Sequence, residues 1–461
     1  MSFRLSFFFL VTYWSYPLLG QGRAEKDSLE NSKQTLRKGH FRGHVRSFWM
    51  LTNNQAELTD FHAWGVGAGL GYQTPLIAKH LQVGFSGFFM ANLVSSNLSL
   101  PDPKTGQANR YEVGLFDVTQ PSQTRHLNRA EELYLRYFFK KKSSVTLGRQ
   151  LPKTPFINPQ DGRLSPTFVE GIVFEWNEFK NTKIHAEYLY RISPRSTVGW
   201  YSIGESIGLY PVGLNTDGKP SSYAGNSHTK GIFTGGITQN VNALNIQLWN
   251  TYVESIFNTV FFQGEWKSSL NNKKSWMAGI QAIHQRATGN GGNVDATRAY
   301  FSPNGHSTIF SGRVGYRSPL WAINLNATRI TAEGRYLMPR EWGKEPFYTF
   351  LPRERNEGMG DTQAYSINIF YQPHPLLKWE ASGGYYKLSD VKNVLLNKYG
   401  MPSYAQLNLG VSYGFSGMLK GLNTQLLVVR KQSVGPTYNN DRFVYNKVNM
   451  THLNFIVNYQ F

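Results

Sequence analysis

Apolar and polar side chains alternate with a period of two through eighteen segments of this chain. Such alternation is typical of β-strands that have one apolar and one polar face. The C-terminal stretch HLNFIVNYQF shows it plainly, with Leu453, Phe455, Val457, Tyr459 and Phe461 on one face. The segments cover residues 41–51, 61–72, 81–92, 131–139, 144–149, 171–179, 183–191, 229–238, 243–253, 257–267, 275–286, 307–316, 320–330, 362–371, 376–387, 404–415, 421–431 and 447–461. The pattern predicts an all-β protein.

The connections between these segments alternate in length. The even-numbered ones are short turns such as KKKS, QNVN and RSP, and the odd-numbered ones are mostly long. The long ones are 93–130, 150–170, 192–228, 287–306, 331–361, 388–403 and 432–446, whereas 52–60 and 254–256 are shorter. A tilted strand of ~9–11 residues crosses a bilayer, and short turns opposite long loops are typical of outer-membrane barrels. We therefore predict a transmembrane antiparallel β-barrel of eighteen strands with short periplasmic turns and long extracellular loops.

The first residues resemble an export signal. Arg4 is followed by an apolar run and then by small residues at Gly20 and Gly22. This pattern predicts a signal peptide over 1–22, a short periplasmic N-terminal segment over 23–40 and a barrel channel domain over 41–461. The apolar run is too short for a membrane-spanning helix, and no later stretch reaches the ~20 apolar residues that such a helix needs. The predicted location is the outer membrane of a Gram-negative bacterium.

The charge of the chain favours an anion-attracting lumen. The net charge is +19 and there is no cysteine. The basic residues are scattered singly along the alternating segments and form no nucleic-acid motif, so we expect no nucleic-acid partner. In the first strand Arg42 and Arg46 share a face opposite Val45, and Arg313 is placed similarly in a later strand. These arginines are predicted to line the pore.

Two long loops are candidates for a constriction. The third, LGRQLPKTPFINPQDGRLSPTFVEG, contains four prolines that stiffen it, and the seventh has several arginines among aromatic residues. We predict that loops 3 and 7 fold inward. For Arg163 we also consider a structural role in which its side chain pins loop 3 to the barrel wall. The predicted pore-lining residues are Arg149, Arg163, Arg42, Arg46, Arg313, Arg340 and Arg353, and the predicted constriction residues are Lys153, Asp161 and Phe168.

The stretch DGRLSPTFVEG resembles the end of the third loop in the OprD family of outer-membrane porins. The family pattern is Asp/Ser-Arg-Leu-x-Pro-x-Thr-Phe-x-Gly, and this chain has Arg163, Leu164 and Pro166 but lacks one residue before Thr167. The strand count and loop rhythm extend the resemblance over the rest of the chain. The resemblance implies a monomeric channel, narrowed by loops 3 and 7, whose basic residues guide carboxylate-bearing solutes.

The predicted function is a water-filled, basic-lined diffusion channel for small anionic or zwitterionic solutes such as amino acids, peptides and organic acids. The predicted partners are outer-membrane lipid, these solutes and the barrel-assembly machinery, which would recognise the C-terminal strand. We expect no enzymatic activity, cofactor or metal, because the eleven histidines lack metal-ligand spacing and no G-x-S-x-G or H-E-x-x-H motif occurs. The alternatives are an outer-membrane barrel enzyme, an adhesive or structural barrel, a plugged receptor and a soluble β-sandwich or propeller.

Overall fold

A computed structural model describes residues 39–160, 163–268 and 273–461 of the chain. The predicted signal peptide and residues 23–38 of the predicted periplasmic segment lie outside these ranges. The strands are β1 (His40–Asn53), β2 (Phe61–Gln73), β3 (Leu81–Ser95), β4 (Leu127–Phe138), β5 (Ser144–Gln150), β6 (Phe168–Trp176), β7 (Thr182–Ser193), β8 (Tyr201–Ser202), β9 (Ile232–Val241), β10 (Leu244–Val253), β11 (Phe257–Lys267), β12 (Ser275–Ala287), β13 (His306–Arg317), β14 (Trp321–Ile330), β15 (Thr362–His374), β16 (Leu377–Lys387), β17 (Tyr404–Gly414), β18 (Leu422–Ser433) and β19 (Met450–Gln460).

These strands form a closed antiparallel barrel. Each strand pairs with the next in sequence, except that β7 pairs directly with β9. The two-residue β8 pairs with the end of β7 that leads into the following long loop. Strand β1 pairs with β19, which removes the free edges that an open sheet would expose. The final residue completes this seam, because the Phe461 amide donates to Gly43 O at 3.0 Å and the Gly43 amide donates to Phe461 O at 2.9 Å. The barrel proper therefore has the eighteen strands predicted from sequence.

The alternating connections are also as predicted. Short turns join β2 to β3, β4 to β5 and every later pair on that side, and long loops lie on the other. Loop 3 is residues 151–167 and loop 7 is residues 331–361, while the first and fifth loops are short. None of the helices within the described ranges is long and apolar enough to cross a membrane.

The outer face of the barrel is apolar and ends in aromatic rings on the side of the short turns. Large apolar side chains such as Leu70 and Ile280 are about 60% exposed. Ring pairs follow the rim of the turns: Phe41–Tyr72, Trp276–Tyr316, Trp321–Tyr371 and Tyr459–Phe461, with centroids 4.2–5.7 Å apart. Transmembrane barrels have an outward apolar band in contact with lipid, and aromatic residues border this band at the interface with water.

The inner face differs between its two halves. Toward the turns it is polar: Gln263 of β11 and Asn324 of β14 face inward. Toward the long loops the inward residues become large and apolar, as Phe257 and Phe261 of β11 and Met50 of β1 show. These apolar residues pack against loop side chains, so the half of the barrel next to the loops has a solid core where they enter it.

Candidate functional site

Loops 3 and 7 descend into the barrel. The Nζ of Lys153 in loop 3 lies 3.6 Å from Glu175, next to the turn end of β6. The hydroxyl of Tyr348 in loop 7 donates to Glu265 at 3.0 Å, again near the turn end of a strand. Since both loops start at the opposite rim, these contacts place them deep inside the lumen.

The two loops are joined to each other. The side-chain amide of Asn158 donates to Lys344 O at 2.9 Å and its oxygen accepts from the Lys344 amide at 3.0 Å. Phe156 packs against Phe261 of the wall at 5.7 Å between ring centroids. Loop 4 (residues 194–231) is attached as well, because Trp342 donates its indole N–H to Ser206 at 2.8 Å. The constriction is therefore a single assembly of three loops.

Four arginines from these loops form an inner basic cluster, defined as Arg163, Arg195, Arg353 and Arg355. Burial and then repulsion from Arg353 and Arg195 hold the pKa of Arg163 well below its ordinary value. Burial, together with repulsion from Arg195, lowers the pKa of Arg355 to about 9 and that of Arg353 to about 10. Guanidinium groups stay protonated in proteins at neutral pH, so all four side chains carry a positive charge. The cluster is a region of concentrated positive charge.

Carboxylates of the described residues also lie beside this cluster. Glu345 lies near Arg355, and its Oε1 accepts the backbone amides of Asn356 at 2.8 Å and Glu357 at 2.7 Å. Burial raises the pKa of Glu345 to about 7, so it is only partly charged at neutral pH. Glu112 of loop 2 (residues 96–126) is fully buried, and burial raises its pKa too. The Nε of Arg195 is buried without a hydrogen-bond partner among the described residues.

Loop 3 is anchored by arginines of the wall that bind its backbone. Arg46 donates to the Arg163 carbonyl and to Asn458, both at 2.6 Å. Arg129 donates to Pro166 O at 2.7 Å and lies over the ring of Phe168 at 5.1 Å. Arg46 thus faces the lumen as predicted, but it lies beneath loop 3 and holds it. Sequence inspection overlooked Arg129, because a basic residue two positions before Glu131 in a strand gives no sign that it binds a loop.

The predicted pore residue Arg149 is in a different place. It lies on β5 directly opposite Leu133, whose side chain is 58% exposed on the outer face. Its Nε lies 3.1 Å from Glu170, and its guanidinium stacks on Trp200 at 4.5 Å. Assignment of Arg149 to the constriction was therefore wrong. The strand continues through Gly148 to Arg149, so the residue belongs to the wall and takes the outward face of the two-residue alternation.

The side chain of Arg340 is bound to neighbouring residues and does not face the open lumen. It lies 3.5 Å from Glu357, stacks on Tyr399 at 4.5 Å and donates to Pro211 O at 2.7 Å. Lys398 shares the same carboxylate at 3.0 Å. The interpretation of Arg340 as a solute-facing residue was wrong, because its side chain is buried, pairs with Glu357 and ties loop 7 to loop 4.

Other predicted residues face inward but are paired. Arg313 lies 2.5 Å from Glu265 and stacks on Tyr348 at 4.5 Å, and Arg42 is ion-paired with Glu132. Lys153 remains 64% exposed beside Glu175 and so faces the open part of the lumen. Phe168 is buried at the start of β6. Asp161 lies outside the described residues.

Sequence inspection missed two members of the inner basic cluster as site residues. Arg195 follows β7 at the start of loop 4, and Arg355 lies two residues beyond Arg353 in loop 7. Arg355 donates to Gly343 O at 3.0 Å, within its own loop. A basic residue next to a proline, as in Pro194-Arg195, is a weak signal. Only the meeting of loops 3, 4 and 7 makes these residues neighbours.

A hydroxyl, a carboxylate and an imidazole, the groups of a catalytic triad, meet at the barrel wall but are inaccessible to a substrate. Thr52 donates to Glu112 at 2.5 Å and contacts His452 Nδ1 at 2.7 Å. All three side chains are fully buried, and the carboxylate binds the threonine hydroxyl and not the imidazole, unlike a catalytic triad. Among the described residues no group of histidine, aspartate and glutamate could hold a metal ion.

Comparison with known proteins agrees with the fold and the sequence pattern. Residues 128–314 match the family model described as outer membrane porin, OprD family. No curated protein sequence matches the chain. Pseudomonas aeruginosa OpdK, solved with vanillate, is 14% identical with a TM-score of 0.71, covering 92% of this chain and 98% of that chain.

Two further porins give the same result. Pseudomonas aeruginosa OccK9 (OpdG) is 15% identical with a TM-score of 0.70, covering 92% of this chain and 98% of that chain. Acinetobacter baumannii OccAB3 is 16% identical with a TM-score of 0.71, covering 92% and 99%. The chain therefore matches the OprD family over residues 128–314, and its described part has the barrel fold of these porins.

Proposed function

We propose that the barrel is a diffusion channel selective for small solutes that carry a carboxylate. The observation that supports this most directly is the inner basic cluster, whose arginines lower one another's pKa at the meeting point of loops 3, 4 and 7. Repulsion among buried cations is relieved when an anion enters, and a guanidinium matches a carboxylate in shape. The charge of the inner basic cluster attracts the solute, while the uncharged residues around the cluster keep binding weak enough for release.

A relative supports the solute class. OpdK was solved with vanillate, an aromatic carboxylate, and its fold covers nearly the whole of this chain. The aromatic residues beside the cluster, including Tyr210 at 5.1 Å from Arg195, offer an apolar surface for such a ring. Amino acids and short peptides would use the same cluster for their carboxylate, with Glu175 near Lys153 available to an amino group.

The proposal includes no catalytic step and no cofactor. We also propose that the barrel acts as a monomer and that the assembly machinery recognises its C-terminal strand. The closed seam between β1 and β19, with Phe461 as its last member, supports the second point.

Single-channel recording in a salt gradient tests the proposal. Wild-type protein in a planar bilayer should give a reversal potential on the anion-selective side. Arg195→Gln and Arg355→Gln should each shift it toward the cation-selective side, and Arg430→Gln on the outer face of β18 should not. Unchanged ion preference in both loop variants would refute the inner basic cluster as the selective element.

The same recording separates two roles for Arg163. As a pore-lining cation, Arg163→Gln should reduce anion preference at unchanged conductance. As a pin of loop 3, it should raise conductance and reduce selectivity for every ion. The first outcome is expected, because Arg46 and Arg129 already hold the loop through its backbone.

A further inference from the structure

We propose that the outer face of strands β11–β15 binds a lipid that combines acyl chains with a phosphate-bearing headgroup. The site lies outside the pore and is independent of the proposed transport function. It consists of an apolar groove in the wall and a basic rim above it, at the end of the strands next to the long loops.

The groove has a volume of about 720 Å³. Its floor is formed by outward residues with little or no side chain, Gly312, Ala282 and Ala327, on three adjacent strands. Large apolar side chains stand on both sides: Ile280 is 62% exposed and Phe310 is 53% exposed. A depression between apolar ridges fits flexible acyl chains.

The basic rim consists of Arg286, His306, His284 and Arg329. Arg286 is exposed directly opposite His306 in the sheet, and the rings of His284 and His306 lie 6.3 Å apart. Arg329 lies directly opposite Phe310 and is itself part of the groove. The rim therefore continues from the groove toward the membrane surface.

Two carboxylates oppose this charge. Asp361 is ion-paired with Arg329, and Glu333 accepts from Thr331 at 2.9 Å beside the two histidines. Arg286 has neither an ion pair nor a hydrogen bond within the described part of the chain. It is therefore the cation most available to a phosphate.

The position of the groove decides what fills it. The groove opens to the bilayer, so its occupant is a membrane component. An anionic headgroup complements Arg286, and it is at the level of the headgroups because β12 ends at Ala287, one residue later. A phosphorylated lipid of the outer leaflet thus satisfies both halves of the site.

The test is a titration of the full-length detergent-solubilised protein with bis-phosphorylated lipid A, followed by native mass spectrometry. The same lipid without its phosphates, and inorganic phosphate alone, serve as comparison probes. We expect Arg286→Gln to weaken lipid A binding roughly tenfold, the effect of losing one charge-assisted contact. Gly312→Phe should weaken it by filling the groove, since a Cβ at Gly312 has room and comes no closer than 3.9 Å to any atom.

Matched controls lie elsewhere on the outer face. Arg430→Gln removes an exposed outward arginine, and Gly383→Phe adds a ring on β16 where a Cβ would lie 3.6 Å from Ile367. Both should bind lipid A as wild type does. Equal affinity for the dephosphorylated lipid, or wild-type affinity in Arg286→Gln, would overturn the proposal. If Gly312→Phe does not assemble, the headgroup comparison and Arg286→Gln decide alone, and unchanged ion preference in Arg286→Gln separates this site from the pore.

Discussion

At the scale of single residues, the pore combines permanent and titratable charge. The inner basic cluster remains cationic, whereas Glu345 beside Arg355 changes its charge near neutrality. Its Oε1 accepts two backbone amides, so the residue both shapes loop 7 and contributes to the field in the lumen. The net charge seen by a solute therefore depends on pH.

We predict that anion preference increases as pH falls through about 7, the pKa to which burial raises Glu345. Protonation removes a negative charge from the cluster, while the arginines do not titrate there. The folded protein binds this proton more tightly than the unfolded chain, so the contribution to stability is present at low pH and lost as pH rises through about 7.

Reversal potentials measured at a series of pH values would show this step. Glu345→Gln should abolish it, because the amide oxygen can still accept both backbone N–H groups but carries no proton to lose. Glu57→Gln, at an exposed position of loop 1 (residues 54–60), is the control and should retain the step. A step that persists in Glu345→Gln would assign the titration to another group.

At the scale of structural elements, the constriction depends on loops that hold one another. Asn158 joins loops 3 and 7 through two reciprocal hydrogen bonds with the backbone of Lys344. We predict that Asn158→Ala costs about 1–3 kcal/mol locally, because backbone groups lose their partner. Conductance should rise and ion preference should fall, while the barrel remains folded.

The measurement is single-channel conductance alongside the temperature at which the barrel unfolds in detergent. Asn440→Ala in loop 9 (residues 434–449), whose side chain accepts from the nearby Arg442 amide of the same loop, is a suitable control and should leave conductance unchanged. Unaltered conductance in Asn158→Ala would mean that the loops are held by their apolar contacts alone.

A second prediction at the scale of structural elements concerns the seam between β1 and β19. A Cβ at Gly43 would lie 2.2 Å from the ring of Phe461, so this glycine is needed where the terminal ring crosses β1. Gly43→Val should displace the ring and destabilise the closed barrel by about 1–3 kcal/mol. Unfolding followed by gel mobility would report it, and Gly383→Val, where a Cβ would make an ordinary 3.6 Å contact with Ile367, should unfold as wild type does.

At the scale of the whole molecule, the proposed pore should discriminate by charge more than by size. Vanillate and vanillyl alcohol have similar dimensions, but only vanillate carries a carboxylate. In proteoliposomes, vanillate should enter faster at low salt, and the ratio of the two rates should fall as salt screens the cluster. Equal rates at low salt would contradict an electrostatic filter.

The sequence alone determined the barrel. Eighteen barrel strands and their closure were correctly predicted from two-residue alternation, from the alternating short and long connections and from the apolar C-terminal strand. The prediction works because a strand that crosses a bilayer needs hydrogen-bonded neighbours on both edges along its whole length. The same reasoning placed Arg42, Arg46 and Arg313 on the inner face. These are local properties, readable from neighbours in the chain.

Tertiary structure decided which charges are available to a solute. Arg149 lies on the outer face, Arg340 is buried and paired with Glu357, and Arg46 lies beneath loop 3, whereas Arg195 and Arg355 join the inner basic cluster. Apolar inward residues such as Met50 and Phe257, which break the expected polar lining, support the loops packed upon them. A charge acts on a solute only if no nearby carboxylate neutralises it, and those neighbours come from loops far apart in sequence, which alternation along one strand cannot reveal.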